Sequence, residues 1–499
     1  MDCEHRPACP GCPLAETPYA DQLLAKQARL ARALAPYGHL PEAPAVVGSE
    51  WQEGYRHRLK LPVASAPSRA IGLYDREGGR VLDTPNCLVL HPELRAALGA
   101  VRAWLADRTD VASVDLRRSH ATGQLQLVLA LPGGELPGGR EALAGLVAAL
   151  PELTSVAISR ADPSGKRVMG TRPRVIHGRP WLDERVGNTR YRIHPGAFFQ
   201  ADPRQAERLH AMVRAAVGEA ATVLDLYAGV GAYALALAEG RERVVAIEEV
   251  PDAARAAADM APPNVEVRTG RAEKHLGEES FEVAILNPAR RGADPGLLAR
   301  LATAAERLVY VSCGPETLAR DLDLLSAHGM RVRGIEAIDL FPQTGEVETV
   351  VTLERGRART EWSVPGGRAR TPWLGEASGV VGHPDRALAL VLGETPVSGL
   401  AAGSRFKRIG MVAGHSLVRV ELAGPLAAAL ALFSRNGSPV AGADPATARF
   451  FAERAGLQRP FVHVERVGAA TAPLHGDLVN ALRALGADDK TVARAGALP

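Results

Sequence analysis

Residues 222–231 read TVLDLYAGVG, and 19 positions after Gly229 the next apolar run, RVVAIEEV, closes around Glu248. A short run of Val and Leu ended by glycines predicts a buried strand turning tightly into a helix. Gly229 and Gly231 let the turn pass close beneath a bound molecule, which the helix N-terminus then faces. A carboxylate at Glu248 suits the two hydroxyls of an adenosine ribose. The alternation runs from Thr222 to Arg355. Further strand cores are VEVRTG, FEVAILNP, RLVYVSCGP, RVRGIEAIDLF and VETVVTLER, and the helices between them include AYALALAEG, PDAARAAADMA, GLLARLATAAERL and PETLARDLDLLSAHG. Apolar strands alternating with helices predict a mostly parallel sheet covered on both faces, with ligands beyond the carboxyl ends of the strands.

Outward from this core, 499 residues allow two to four domains at roughly 150 each. A composition 46% hydrophobic and 23% charged excludes disorder, collagen and coiled coil for the whole. The net charge of +3 announces no polyanionic partner globally, although six lysines stand against 53 arginines, a residue suited to phosphate and base contacts. No secretory signal opens the chain, and the most apolar stretch, residues 422–433, is too short to span a bilayer. A cytoplasmic location is expected, with no membrane contact, no predicted protein partner and reduced cysteines.

Three of the five cysteines, Cys3, Cys9 and Cys12, crowd a segment rich in proline, MDCEHRPACPGCP, that cannot be helical. Reduced thiols so grouped predict a metal site, with Cys87 in TPNC as the fourth donor. Four cysteines fit a [4Fe–4S] cluster or structural zinc, and spacing alone does not choose. A helix is predicted over Tyr19–Leu34. From Tyr55 to about Ile193, short alternating runs (RHRLKLPVA, AIGLYD, SVDLRRS, GQLQLVLAL, SVAISRA) predict antiparallel strands and hairpins, packed by helices in ELRAALGAVRAWLAD and REALAGLVAAL. Arg160 to Arg192 carries a local net charge of +6, either a phosphate-contacting patch or a solvated face. Residues 356–372 read as a Pro/Gly/Arg-rich linker before a last, smaller core.

The strand ends carry the chemistry. Gly229, Gly231 and Ala234 satisfy a loose dinucleotide pattern, which keeps a nicotinamide-dependent oxidoreductase open. Asp225 before the turn and Asn287-Pro288 after the fourth strand are instead habits of S-adenosylmethionine (AdoMet) methyltransferases. Cys313 ends the fifth strand just before a helix at Gly314-Pro315, where a helix N-terminus lowers a thiol's pKa and favours a nucleophile. Glu346 and Glu348 lie by the same edge, and one of them within reach of the substrate would be a base.

Together these residues resemble the RNA uridine-C5 methyltransferase family, the RumA/TrmA group, and most closely its RumB kind, which acts on 23S ribosomal RNA. The likeness runs from Cys3 to about Arg355, through GYRHRLKLPV, IGLYDREGG, HPGAFFQADP, VLDLYAGVG, LNPARRG, VYVSCGPETLARDL and LFPQTGEVE. It implies Cys3, Cys9, Cys12 and Cys87 as ligands of a [4Fe–4S] cluster. It also implies Gln200, Tyr227, Glu248 and Asn287 as AdoMet contacts beside Gly229, Cys313 as nucleophile and Glu348 as base. Arg56, Arg58, Lys60 and the residues near Arg172 are the expected RNA backbone contacts. The family's N-terminal RNA-binding TRAM domain is not expected here, since the cysteine motif begins at Cys3. The chain departs from the family pattern at Ala197, Ala228, Asn287 and Gly314. Residues 376–499 resemble the last third of RluA-type pseudouridine synthases, but GPLAAALAL replaces the substrate-binding motif and the catalytic Arg-Leu-Asp segment is missing.

The expected architecture is α/β. A cysteine motif with its helix (1–40) and an antiparallel β-rich RNA-binding domain (41–190) precede a Rossmann-like class I methyltransferase domain (191–355). A linker (356–375) and a small, degenerate α+β domain (376–499) follow. The expected activity is AdoMet-dependent methylation of carbon 5 of a uridine in 23S rRNA. The alternatives are the same chemistry on tRNA, an NAD-dependent oxidoreductase, and a non-catalytic RNA-binding protein.

Overall fold

The computed structural model describes residues 1–35, 37, 40–65, 69–164 and 168–356, then 361–364, 367–370, 384–391, 398–401, 404–412, 415–422, 440, 461–467, 470–471, 476–485 and 487–496. The cysteine segment leads into helix α1 (Tyr19–Leu34), as predicted, and a two-residue strand β1 (Val46–Val47). A five-stranded sheet follows, ordered β2-β3-β4-β5-β6, from β2 (Arg58–Pro62), β3 (Ser113–Arg118), β4 (Leu125–Leu131), β5 (Leu153–Arg160) and β6 (Thr171–Gly178). Helix α2 (Pro92–Leu105) and the short α3 (Ala144–Ala149) cover one face, burying Leu94, Leu98, Val101, Leu127, Leu129 and Val156.

Two expectations for this region are corrected. The sheet is mixed, because β4 and β5 pair in parallel. The helical REALAGLVAAL between them is a crossover, and a crossover returns the chain in the same direction. AIGLYD forms no strand; Ile71 and Tyr74 make only isolated bridges to Val63 and Val81. Gly72 interrupts it, since a Cβ there would stand 1.9 Å from the Leu82 carbonyl oxygen.

A hairpin of β7 (Leu182–Val186) and β8 (Thr189–Ile193) leads to α4 (Pro203–Val217) and the large sheet. Its strands are β9 (Thr222–Leu226), β10 (Arg243–Glu248), β11 (Val265–Thr269), β12 (Phe281–Leu286), β13 (Ala305–Ser312), β14 (Met330–Ile338) and β15 (Glu348–Arg355). Between them lie α5 (Ala232–Ala236), α6 (Pro251–Met260), α7 (Ala272–His275), α8 (Pro295–Ala304) and α9 (Pro315–Ala327). The order β1-β14-β15-β13-β12-β9-β10-β11 is parallel except for β15, which runs antiparallel to both neighbours. This is the Rossmann-like methyltransferase fold, buried on both faces by Leu224, Leu226, Ile247 and Leu286 on one side and Val223, Val244, Val283 and Val309 on the other.

The N-terminal segment joins this sheet. β1 pairs with β14 at its edge, and Leu30 and Leu34 of α1 enter the core. One turn and two turns earlier on the same face lie Lys26 and Gln22, both buried. Lys26 Nζ donates to Asp339 Oδ1 at 2.5 Å and to the Phe341 carbonyl at 3.0 Å, and Tyr19 donates to Asp339 Oδ2. Gln22 and Gln343 clasp each other through Gln22 Nε2 to Oε1 (3.0 Å) and Gln343 N–H to Gln22 Oε1 (2.9 Å), and Leu14 N–H reaches the Gln343 carbonyl. Gln343 sits at φ +70°, a conformation a non-glycine residue holds only when its surroundings over-determine it.

Beyond residue 356, a six-stranded sheet carries β16 (Pro384–Val391), β17 (Ser404–Val412) and β18 (His415–Glu421) at its centre, beside two helices at 476–484 and 489–496. GPLAAALAL and most of the expected linker lie outside the described residues. No helix among the described residues is long and apolar enough to cross a membrane. Replacing Lys26 by Met should cost about 3–5 kcal/mol in urea unfolding, because it strands the buried Asp339 carboxylate; a loss below about 1 kcal/mol would show that the pair contributes little.

Candidate active site

The glycine turn after β9 behaves as its sequence predicts. Gly229 and Gly231 have φ of +58° and +79°, and a Cβ on Gly231 would press to 3.0 Å from Leu235. Glu248, at the end of β10, fixes the turn: Oε2 accepts from Gly229 N–H at 2.8 Å and Oε1 from Val250 N–H at 2.7 Å. Each oxygen keeps lone-pair capacity for a hydroxyl. Asp225 is fully buried, accepts from Ala234 N–H at 2.9 Å through Oδ2, and leaves Oδ1 unpartnered. Burial and then Glu248 push its pKa up to about 7. Tyr227 stands at φ +61°, which turns the chain out of the strand into the cleft.

That cleft is lined by Phe198, Gln200, Tyr227, Gly229, Tyr233 and Asn287 among others, so four of the expected cofactor residues meet there, with Glu248 behind Gly229. Its outer wall, the loop 194–200, is held from the smaller sheet. Arg58 and Arg117 both donate to the Ala197 carbonyl, at 2.8 and 2.9 Å, and Arg58 grips Asp115 through two nitrogens. Arg58, expected to touch RNA, is therefore buried and committed to positioning this loop.

The catalytic candidates meet through strand register. Ser312 of β13 pairs with Thr349 of β15, so one residue further Cys313 comes level with Glu348. Thr349 Oγ1 donates to the Ser312 carbonyl at 3.0 Å, pinning the two strand ends. Cys313 is half-buried and free, whereas Glu348 is buried. Burial lifts the Glu348 pKa to about 8, with Arg290 opposing and Glu346 adding to the rise. The Cys313 thiol is also raised, by burial, then Glu348, with Arg290 lowering it and Glu346 raising it. The depressed thiol expected from the start of α9 is thus reversed. Desolvation and a facing carboxylate outweigh the helix end.

Glu346 is engaged elsewhere, bonded to Arg29 at 3.3 Å and to Arg290 at 3.1 Å. Its neighbours assign it to holding Arg290 over the site. Sequence reasoning gave no role to Arg29, Arg290, Gln22 or Lys26. The available signal was a lysine in a chain that almost always uses arginine, placed on the buried i, i+4 stripe of α1.

The four other cysteines, all free, line one cavity of about 100 Å³ with Arg6, Arg56 and Leu73. Arg6 donates to the Cys12 carbonyl at 2.8 Å, and Cys9 N–H to the His5 carbonyl, which folds the segment around the cavity. Gly11 has no room for a Cβ, which would lie 2.7 Å from Leu73. Burial, followed by Cys87, Cys9 and Cys3, pushes the Cys12 thiol up to about 12. Among the described residues no three His, Cys, Asp or Glu side chains are placed to hold a metal ion.

The family model for tRNA (Uracil-5-)-methyltransferase matches residues 266–356. An uncharacterized RNA methyltransferase of Gloeobacter violaceus is 32% identical over 382 residues, 70% of this chain and 83% of that protein. One of Listeria monocytogenes is 31% identical over 376 residues, 70% and 82% of the two chains. The crystal structure of Pyrococcus abyssi tRNA (uracil-54, C5)-methyltransferase in complex with S-adenosyl-L-homocysteine superposes with a TM-score of 0.58 at 27% identity, over 70% of this chain and 86% of that one.

The raised Glu348 has a readable consequence for stability. The folded state keeps its proton from the ordinary 4.5 up to about 8, so the stability tied to that proton is complete below 4.5 and is lost as pH rises to 8. The melting temperature of Glu348→Gln relative to wild type should therefore climb across that window and level off above it. A difference that does not change with pH would place the carboxylate in contact with water.

Proposed function

The chain belongs to the RNA uracil-5-methyltransferase family, and on that premise we propose that it methylates carbon 5 of a uridine in 23S ribosomal RNA through a covalent bond from Cys313 to carbon 6. The observation that carries this reading is the Ser312–Thr349 pairing at the carboxyl end of the sheet, whose next residues are Cys313 and Glu348, with the Glu348 carboxylate acting on the Cys313 thiol. Membership in this family displaces the nicotinamide reading of the glycine turn. The cleft residues Gln200, Tyr227, Gly229, Glu248 and Asn287 are the proposed AdoMet contacts. AdoMet would supply an electrophilic methyl group there.

Carbon 5 of uracil is a weak nucleophile. With its proton lost to solvent, the Cys313 thiolate adds to carbon 6, and the ring electrons shift to an enolate whose carbon 5 takes the methyl group. Glu348, as carboxylate, then removes the carbon 5 proton, and the returning electrons expel the thiolate. Arg290, held by Glu346, favours the charged forms of both groups. The uridine must leave its stack to reach this site, at a cost of a few kcal/mol.

The thiol-lined cavity supports a [4Fe–4S] cluster on Cys3, Cys9, Cys12 and Cys87. The four cysteines line one cavity, and iron bound there would offset the mutual repulsion of their thiolates. Its proposed role is to brace the segment that Leu14 and Gln22 tie to Gln343. Residues 376–499 are proposed as a degenerate RluA-like module appended to the enzyme. The Pyrococcus enzyme's tRNA substrate favours a second reading, methylation of tRNA.

Cys313→Ala should abolish transfer of labelled methyl from AdoMet to RNA, and Glu348→Gln should accumulate a denaturation-resistant protein–RNA adduct; methylation by Cys313→Ala would remove the nucleophile assignment. Mapping 5-methyluridine in a strain lacking the gene should show a loss in 23S rRNA, and a loss confined to tRNA would select the second reading.

A further inference from the structure

Outside the cleft, three histidine rings meet where the start of β2, the N-terminus of α2 and the turn after β3 come together. His57 is 3% exposed, with ring centroids 4.6 Å from His91 and 5.2 Å from His120. Neither of its ring nitrogens has a hydrogen-bond partner. Its backbone N–H donates to the Ala201 carbonyl at 2.7 Å, so the cluster adjoins the Gln200 end of the cofactor loop. No metal explains the grouping, since no three such side chains among the described residues are placed to hold an ion.

The charges closest to His57 are positive. Burial and then His91, His120, Arg118 and Arg204 hold it neutral, at about 2. His91 is lowered as well, by burial and then Arg118, with Glu93 opposing and Arg204 and His120 adding. Three carboxylates lie by the cluster, and Asp202 keeps Oδ2 unpartnered. Glu93, exposed at the rim, takes a bond from Arg118 Nε at 2.7 Å. Glu184 is buried and accepts from the backbone N–H groups of His120 and Ala121 at 3.0 Å. Asp202 caps α4 through Oδ1, which also lies 3.7 Å from Arg204 Nε. A neutral His57 beneath the group keeps its cations together without adding another charge.

On the solvent side the surface turns aromatic. The Arg204 guanidinium lies 4.3 Å over the Trp51 ring, and Trp51 is 50% exposed. Guanidinium and imidazole donors beside an exposed ring match what single-stranded RNA offers, phosphate oxygens alternating with flat bases.

We propose that Arg118, Arg204, His91 and His120 form a seat for the sugar–phosphate backbone of the RNA substrate, with Trp51 as a stacking face for an adjacent base. The proposal rests on the RNA methyltransferase reading and locates where the strand runs as its target uridine enters the cleft. It also accounts for the grouping of polar rings at the junction of the two sheets, which neither cofactor binding nor the cysteine–glutamate pair uses.

The test is fluorescence anisotropy of a labelled twelve-residue oligouridine with the full-length protein over a series of KCl concentrations. Arg204→Gln should weaken binding and flatten the slope of log affinity against log salt by about 0.7 for the phosphate that is no longer neutralised, and the exposed-site variant His120→Ala should weaken binding. Trp51→Ala should weaken binding at least about fivefold while leaving the slope unchanged. The melting-temperature rise on adding AdoMet should be that of wild type in all three, which separates weakened RNA binding from misfolding. Wild-type affinity and slope in both Arg204→Gln and His120→Ala would overturn the seat. Wild-type protein that binds no oligouridine would overturn it as well, and methyl transfer to ribosomal RNA by that same protein then shows whether the enzyme reading survives.

Discussion

The antiparallel insertion of β15 between β13 and β14 is the constraint on which the site depends. Every other neighbouring pair in the large sheet runs parallel, so side chains at the ligand-facing edge come from the ends of strands. β15 alone begins there. Its first residue, Glu348, therefore sits beside the residue that follows the last of β13, which is Cys313. A hydrogen-bonded register fixes Glu348 and the strand end from which Cys313 leaves. The same placement buries the carboxylate, and burial makes it a stronger base than an exposed glutamate.

The loop leading into β15 is less regular, and its order is imposed from outside. Residues 339–343 take hydrogen bonds from Tyr19, Gln22 and Lys26 on α1, from Tyr55, and from Gln205 on α4. The buried ion pair and the amide clasp hold Gln343 in the left-handed region, and four residues beyond it the chain enters Val347 and Glu348. Because Leu14 belongs to the cysteine segment and bonds to Gln343, order near the thiols reaches the catalytic edge through two short steps. That continuity links the N-terminal cavity to the loop that leads into β15.

Much of this was legible from residue patterns alone. The β9–α5 turn, the alternation from Thr222 to Arg355 and the helix at Tyr19–Leu34 follow from glycine placement and apolar periodicity, which are local. What escaped was long-range. Nothing near Val46 says that two residues will extend a sheet whose other strands begin 176 positions later. The parallel β4–β5 pair hid behind a crossover too short to announce itself, and AIGLYD looked like a strand although Gly72 must pass against a backbone carbonyl. Arg58 read as a surface cation because arginine usually is one, and only the fold brings Asp115 and Ala197 to it. The thiol's acidity was misjudged for the same reason. The helix start is adjacent in sequence to Cys313, while Glu348 lies 35 positions away.

In the proposed reaction Cys313 supplies the atom that joins protein to pyrimidine. The direct measurement is to incubate the wild-type protein with AdoMet and RNA transcribed with 5-fluorouridine, whose carbon 5 carries no proton for Glu348 to remove, and to map the resulting conjugate by peptide mass spectrometry. A stable conjugate on the peptide containing Cys313, bearing one transferred methyl group, is the predicted result. A conjugate on another residue, or none under conditions where ordinary RNA is methylated, would contradict it.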